Sequence, residues 1–425
     1  MKILHTSDWH LGKTLEGRQR IAEQKQFTNE LCRIAQAENA DLIIIAGDIY
    51  DSSNPPAAAE QLFYRSVTKL SNGGKRPVIV IAGNHDSPER LTAASPLAYE
   101  NGIILLGSAK SKAQTGDYEY YSIRSSGEGF LELAIRGETA VIITMPYPSE
   151  KRLDEIIFQP ETETEPEPKA ETKTNTEAEA KPEGITKPEG IAKPDTSQKS
   201  YSQKIGEILK SLSENFRSDT INIIAGHFYI TGGEITDSER DIAIGGVYAV
   251  NEAAIPKAQY TAMGHLHRPQ RIKSENPIYY SGSPLQYSKS EIAYEKCVYI
   301  AKIEPAADAE VKKIPLTNYK PISVLKFASP EECMDNLDKI PENSWVYVEI
   351  ISGRLVTQNE LKALREKSAD IVEIKIISEG EREEFLYTSD DISVSEVFDL
   401  FYKDTRGSAP PADLKKLFLR LIEED

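Results

Sequence analysis

Cysteine is scarce in this 425-residue chain, and the three present, Cys32, Cys297 and Cys333, stand far apart. Without a close pair they build neither a disulfide framework nor a thiolate metal site. Long apolar runs are missing as well, since no stretch approaches the roughly 18 residues that span a bilayer. No basic segment followed by an apolar region opens the chain, so no export signal is read and a cytoplasmic location is expected. Positive charge is in deficit: 50 Lys and Arg face 67 Asp and Glu, for a net charge of −17. Nucleic-acid affinity rests on neutralising phosphates, so the deficit excludes a protein that coats DNA through a broad basic surface. Contact with an anionic polymer would have to be local, metal-assisted or shared with a partner. Histidine is rare too, with six in all.

What is present suits a multidomain soluble protein, 39% hydrophobic and 28% charged, too long for a single core. Over the first 110 residues short apolar runs alternate with helical patterns, the mark of βαβ units and a largely parallel sheet. Strands are read at 2–5, 42–46 and 78–82. Helices are read at 21–38, with Phe27, Leu31, Ile34 and Ala35 on one face, and at 56–70, with Phe63, Val67 and Leu70 buried. Shorter strands at 118–122, 130–136 and 141–144 lack intervening helices, which suggests an antiparallel part or a second sheet. From 159 to 200 the composition turns to Glu, Thr, Pro, Lys and Ala, with a near-repeat beginning at Lys181, Lys187 and Lys193. Such a segment cannot bury apolar surface and reads as a disordered insertion. A helix at 202–216 and strands at 221–225 and 260–263 complete a first domain, taken as 1–303. Residues 304–390 read as a small α+β unit. Residues 391–425 read as two amphipathic helices in an acidic tail.

Five of the six histidines fall in short motifs that follow apolar strands: Asp8-Trp9-His10, Gly47-Asp48, Gly83-Asn84-His85-Asp86, Gly226-His227 and Gly264-His265-Leu266-His267. One histidine after a strand is usually a satisfied polar group. Five together point to a shared site, because open α/β sheets bind ligands at the carboxyl ends of their strands. The preceding glycines would let the backbone turn sharply there. Asp-x-His and His-x-His would each present two ligands from one extended segment, since alternate strand residues share a face. Carboxylate, amide oxygen and imidazole suit Mn²⁺, Fe²⁺, Zn²⁺ or Mg²⁺. The seven candidates Asp8, His10, Asp48, Asn84, His227, His265 and His267 exceed what one ion needs, and fit two ions bridged by Asp48, an arrangement for phosphate-ester hydrolysis. Asn84 already supplies a ligand at its strand end, so His85 is assigned to the substrate, to stabilise the transition state or protonate the leaving oxygen, with Asp86 placed to orient or charge it. His5, inside a strand, reads as structural. Lys13, Arg18, Arg20, Arg268, Arg271 and Lys273 are the first candidates for phosphate contact.

Asp8-x-His10, Gly47-Asp48-x-x-Asp51, Gly83-Asn84-His85-Asp86, Gly226-His227 and Gly264-His265-x-His267 resemble, in number, order and spacing, the motifs of the calcineurin-like metallophosphoesterases. The surroundings of these motifs, with Gly232-Gly233-Glu234, Ser238-Glu239-Arg240 and Ser281-Gly282-Ser283-Pro284, are similar to the bacterial DNA-nuclease subunits of that family. The resemblance implies an α/β fold, a four-layer sandwich of two sheets flanked by helices, with a small α+β capping domain and C-terminal helices that dock on an ATPase coiled coil. It implies two Mn²⁺ ions, one held by Asp8, His10, Asp48 and His267, the other by Asp48, Asn84, His227 and His265. It further implies exonucleolytic and endonucleolytic cleavage of DNA ends and hairpins, a homodimer within a heterotetramer, and association with the nucleoid. A phosphoesterase acting on a small nucleotide or phosphomonoester is the alternative, since one dimetal core serves many substrates.

Overall fold

The computed structural model describes residues 1–150, 153, 200–242, 248–336, 339–354, 356–378 and isolated positions between 398 and 418. The low-complexity insertion read at 159–200 and most of the two C-terminal helices lie outside the described residues. The chain divides into two compact units, Met1–Ile322 and Ser323–Asp425.

In the first unit, β1 (Lys2–Thr6), a short hairpin β2 (Thr14–Leu15) and β3 (Arg18–Gln19), α1 (Ile21–Ala37), β4 (Leu42–Ala46), α2 (Ala57–Leu70), β5 (Val78–Ile81), α3 (Pro88–Thr92), α4 (Ser95–Glu100) and β6 (Ile103–Leu106) follow in order. Strands β1, β4, β5 and β6 pair in parallel. Their sequences, such as Leu42-Ile-Ile-Ile-Ala46, are apolar throughout because both faces are covered. The next strands are β7 (Gly116–Asp117), β8 (Tyr121–Gly127), β9 (Phe130–Ile135) and β10 (Glu138–Met145). After α5 (Tyr201–Leu212) come β11 (Ile221–His227), β12 (Tyr260–Gly264), β13 (Gln270–Arg271), β14 (Ile278–Tyr280), β15 (Cys297–Lys302) and β16 (Glu310–Pro315).

These strands form two large sheets, β16-β15-β1-β4-β5-β6 and β13-β14-β12-β11-β10-β9-β8-β7. The second sheet is parallel through β10, β11, β12 and β14, and antiparallel through β8 and β9, as the missing helices suggested. The first compact unit runs to Ile322 rather than stopping at 303. The reason is pairing: β15 returns antiparallel to β1, and β16 extends that edge, so 310–315 belong to the first sheet.

Alternation along the strands builds the layers. In β4, Ile43 and Ile45 face α1 and α2, where they meet Phe27, Leu31, Phe63 and Val67. Leu42, Ile44 and Ala46 face the other way, into a core shared with Leu131, Leu133, Ile142, Ile221 and Ile223 of the second sheet. The far face of that sheet, with Ile143, Ile224 and Met263, is covered by Ile205 and Leu209 of α5. Helix, sheet, sheet and helix are therefore stacked in four layers. Ser200 starts α5 with a reciprocal capping box to Gln203.

The second unit holds a three-stranded sheet, β17 (Ile322–Phe327), β18 (Trp345–Ser352) and β19 (Ile371–Ser378), with α6 (Pro330–Asp335) and α7 (Gln358–Lys367). Phe327, Cys333, Val346, Val348, Ile350, Leu364 and Ile371 form its core. No helix among the described residues is long and apolar enough to cross a membrane.

Candidate metal centre

All seven expected ligands and His85 sit at, or just beyond, the carboxyl ends of parallel strands: β1, β4 and β5 in one sheet, β11 and β12 in the other. Loop pairing extends the first sheet past its strands, with Asp8 N donating to Gly47 O and His10 N to Asp48 O, each at 3.0 Å. The second sheet is tied on when His265 N donates to Asp8 Oδ1 at 2.9 Å. Two of the glycines serve a purpose other than turning. A β-carbon at Gly83 would collide with Asp48, and one at Gly264 with the Ala46 carbonyl and Ser7, so both are needed for close approach of the chains. Asp8, His10, Asp48 and His265 have left-handed φ values of 53°, 44°, 51° and 102°. Paired ligands thus come from kinked loops rather than from strand alternation, and this backbone strain collects at one site.

The donor atoms converge. His10 Nε2 lies 3.0 Å from His267 Nε2, and His227 Nε2 and His265 Nδ1 lie 3.0 and 2.9 Å from Asn84 Oδ1. Asp48 Oδ2 stands between the two groups, 3.6 Å from His10 Nε2 and 3.5 Å from His227 Nε2. One ligand atom each from Asp8, His10 and His267 falls within 4.8 Å of the others, as do those of Asp8, Asp48 and His227. All of these except Asn84 are buried.

The electrostatics follow from burial. Burial raises the Asp8 carboxyl to about 6. Burial would raise Asp48 too, but His227 and its other histidine neighbours hold it well below the usual carboxylate range. Burial opposes charge on His227, yet the Asp48 carboxylate outweighs it and lifts the imidazole to about 9. His10 and His265 are pushed well below the ordinary histidine value, chiefly by burial.

The donor set fits divalent cations. His227 Nδ1 donates to the Ala46 carbonyl at 2.7 Å, which leaves the Nε2 lone pair of the neutral ring directed at Asn84 Oδ1 and Asp48 Oδ2. A ring proton, favoured by the Asp48 pairing, or a divalent cation in its place satisfies these facing acceptors. His10 Nδ1 is buried with no hydrogen-bond partner and faces Asp51 Oδ1 at 3.6 Å, while Nε2 faces His267 Nε2 and Asp48 Oδ2. Burying two carboxylates among imidazoles is costly unless positive charge joins them.

His85 is half-buried, and its ring meets that of His10 edge-on at 4.8 Å. Its Nδ1 donates to the Asp51 carbonyl at 2.8 Å, so a backbone oxygen, not Asp86, sets the ring. The expectation that Asp86 orients His85 therefore fails. Its carboxylate instead accepts the amides of Gly83, Ile49 and Tyr50, clamping the second and third motif loops together. His5 is structural, bonded to Tyr260 Oη at 2.9 Å and pushed down to about 3 by burial.

Sequence reading overlooks several neighbours. Tyr147 packs its ring 6.1 Å from that of His265 and 6.5 Å from that of His227. Glu239 accepts the His267 amide, and Glu291 lies behind the same imidazole. The signal available is Ser238-Glu239 and Ser288 to Glu291, acids in loops beside hydroxyl residues. Among the cations, Arg20 is buried, bonded to Glu23 and the Gln286 carbonyl, so it is no phosphate contact. Lys13 is engaged by Asp51 at 2.8 Å, and Arg268 by Glu234. Arg18, Arg271 and Lys273 are exposed.

The architecture, with its convergent carboxylates and imidazoles between two stacked sheets, is that of a metallophosphoesterase. The chain belongs to the calcineurin-like phosphoesterase family, whose model matches residues 1–269. It is 37% identical over 434 aligned residues to the D component of the nuclease SbcCD from Bacillus subtilis (strain 168), covering 100% of this chain and 99% of that protein. To the same component of the nuclease from Staphylococcus epidermidis (strain ATCC 12228 / FDA PCI 1200) it is 28% identical over 362 residues, 85% of this chain and 82% of the relative.

Proposed function

We propose that this chain is the nuclease subunit of an SbcCD-type complex, cutting DNA phosphodiesters with two divalent cations, Mn²⁺ foremost. The single observation that supports the dimetal reading most is Asp48 Oδ2, nearly equidistant from His10 Nε2 and His227 Nε2. Asp8, His10, Asp48 and His267 would hold one ion, and Asp48, Asn84, His227 and His265 the other. Bound there, the cations would supply Lewis-acid neutralisation of the phosphate and activation of water. His85 is the catalytic residue in this reading: its Nδ1 donates to the Asp51 carbonyl, and the ring in its doubly protonated form would give the Nε2 proton to the leaving oxygen, returning to the neutral Nδ1–H imidazole. Asp86 keeps the loops of Asp48 and Asn84 in register.

The substrate class rests on kinship with nucleases of full-length coverage. DNA ends and hairpins are the proposed substrates, cut exonucleolytically and endonucleolytically in repair, recombination and replication. An SbcC-type ATPase is the proposed partner, with the acidic amphipathic pattern at 391–425 as its docking segment and a homodimer within a heterotetramer as the assembly. A cytoplasmic, nucleoid-associated location accompanies that role. The test is cleavage of linear and hairpin DNA with Mn²⁺, beside a small chromogenic phosphodiester. Hydrolysis of the small ester with no DNA cleavage, even with the ATPase present, would overturn the nuclease reading in favour of a small-substrate phosphoesterase.

A further inference from the structure

Acidic side chains on surface loops are seldom fully buried. Glu291, in the one-turn helix Lys289–Ala293, nevertheless has no exposed surface. Its Oε2 meets Lys296 Nζ at 2.5 Å and accepts the Ser283 hydroxyl at 3.2 Å, while the Ser238 hydroxyl donates to Oε1. Lys296 is buried as well, and it also donates to the His267 carbonyl at 2.9 Å. The ammonium balances the carboxylate, which lets both remain charged inside the protein. Two further groups face Oε1: the Ser288 hydroxyl, which donates at 3.3 Å, and His267 Nδ1, at 3.5 Å. The opposite nitrogen of that ring, Nε2, looks at His10 Nε2 across 3.0 Å.

We propose that Glu291 is a positioning residue, holding the His267 ring with its proton on Nδ1 so that Nε2 is presented to the ion on the His10 side. The inference rests on the dimetal reading above. It gains force from the contrast with His227, whose Nδ1 is held by a peptide carbonyl, that of Ala46, at 2.7 Å. A carboxylate behind an imidazole makes it a better metal donor than a neutral dipole does, and losing such a partner commonly weakens binding by about 10–100-fold. The two ions are therefore held by unequal sets, with Glu291 strengthening one side alone. If Glu291 served only to tie down its loop, its loss would lower the melting temperature and leave ion binding as it was.

The experiment is calorimetric titration of the metal-free full-length chain with Mn²⁺, with electron paramagnetic resonance to count bound ions and circular dichroism to check the fold. The parent is expected to bind two ions. In Glu291→Gln one of the two binding steps is expected to weaken by about 10–100-fold while the other keeps its parental affinity. Glu291→Gln combined with Lys296→Met leaves no unpaired buried ammonium, and it is expected to fold and to show the same one-sided loss. Parental affinity at both steps in the folded double variant would overturn the assignment of Glu291 while sparing the dimetal reading. A parent that binds no ion would overturn both.

Discussion

The two large sheets contribute differently to one centre. The first, through the loops after β1, β4 and β5, supplies every oxygen donor, Asp8, Asp48 and Asn84, together with His10 and His85. The second, through β11 and β12, supplies only imidazoles, His227, His265 and His267. Negative charge thus comes from one sheet and most of the borderline nitrogen donors from the other. In the proposed centre neither half holds a full ligand set alone, so ion binding would report how the sheets are stacked.

The sharpest break in that comparison is Asp48→Ala, which removes the carboxylate oxygen nearly equidistant from His10 Nε2 and His227 Nε2. Loss of DNA cleavage by about 10³-fold or more is expected, about 4 kcal/mol of barrier, together with loss of bound Mn²⁺ by elemental analysis. Retention of both ions would refute the bridge. His85→Gln comes next: cleavage should fall by about 10²–10⁴-fold while two ions remain bound, which would separate the proposed proton donor from the proposed ligands on the same sheet.

The charge division also predicts a pH dependence. In the metal-free protein His227 lies at about 9, above its ordinary 6.5. Its pairing with Asp48 therefore contributes fully below 6.5 and is lost as pH rises through 9, on the order of 3 kcal/mol for this fully buried group. Metal needs the neutral ring, so Mn²⁺ affinity should climb over the same window, with protons released on binding. Affinity independent of pH between 6.5 and 9 would sink this account. The smallest effect distinguishes the two faces of β4. Ile43→Ala and Ile44→Ala should each cost about 2–5 kcal/mol in chemical denaturation. Only Ile44→Ala, which thins the layer between the sheets, should also weaken Mn²⁺ binding.

The site is largely legible in the sequence because each motif directly follows an apolar run, so a strand end and a polar group coincide in a few letters. The parallel half of the first sheet is legible for the same reason: Leu42 to Ala46 and Val78 to Ile81 are apolar on both faces. The β15–β16 edge is not, since Glu310 to Pro315 mixes charged with apolar residues as a half-exposed edge strand does, and it reads as part of the next domain. Glu291 and Tyr147 escape notice because their roles depend on side chains brought together only by folding. Arg20 shows the opposite failure. As a letter it is a surface cation, yet the Glu23 carboxylate and the Gln286 carbonyl draw it inside.

β1 pairs on one side with β4, but on the other with β15, Lys2 opposite Lys302. This early strand thus waits for nearly the last strand of its unit. Until synthesis has passed His267, the nascent chain carries acids without their full set of imidazoles, and until β15 emerges its first sheet keeps an open edge. Such sequence-distant pairing slows folding, and here it also ties assembly of the proposed metal centre to completion of the unit.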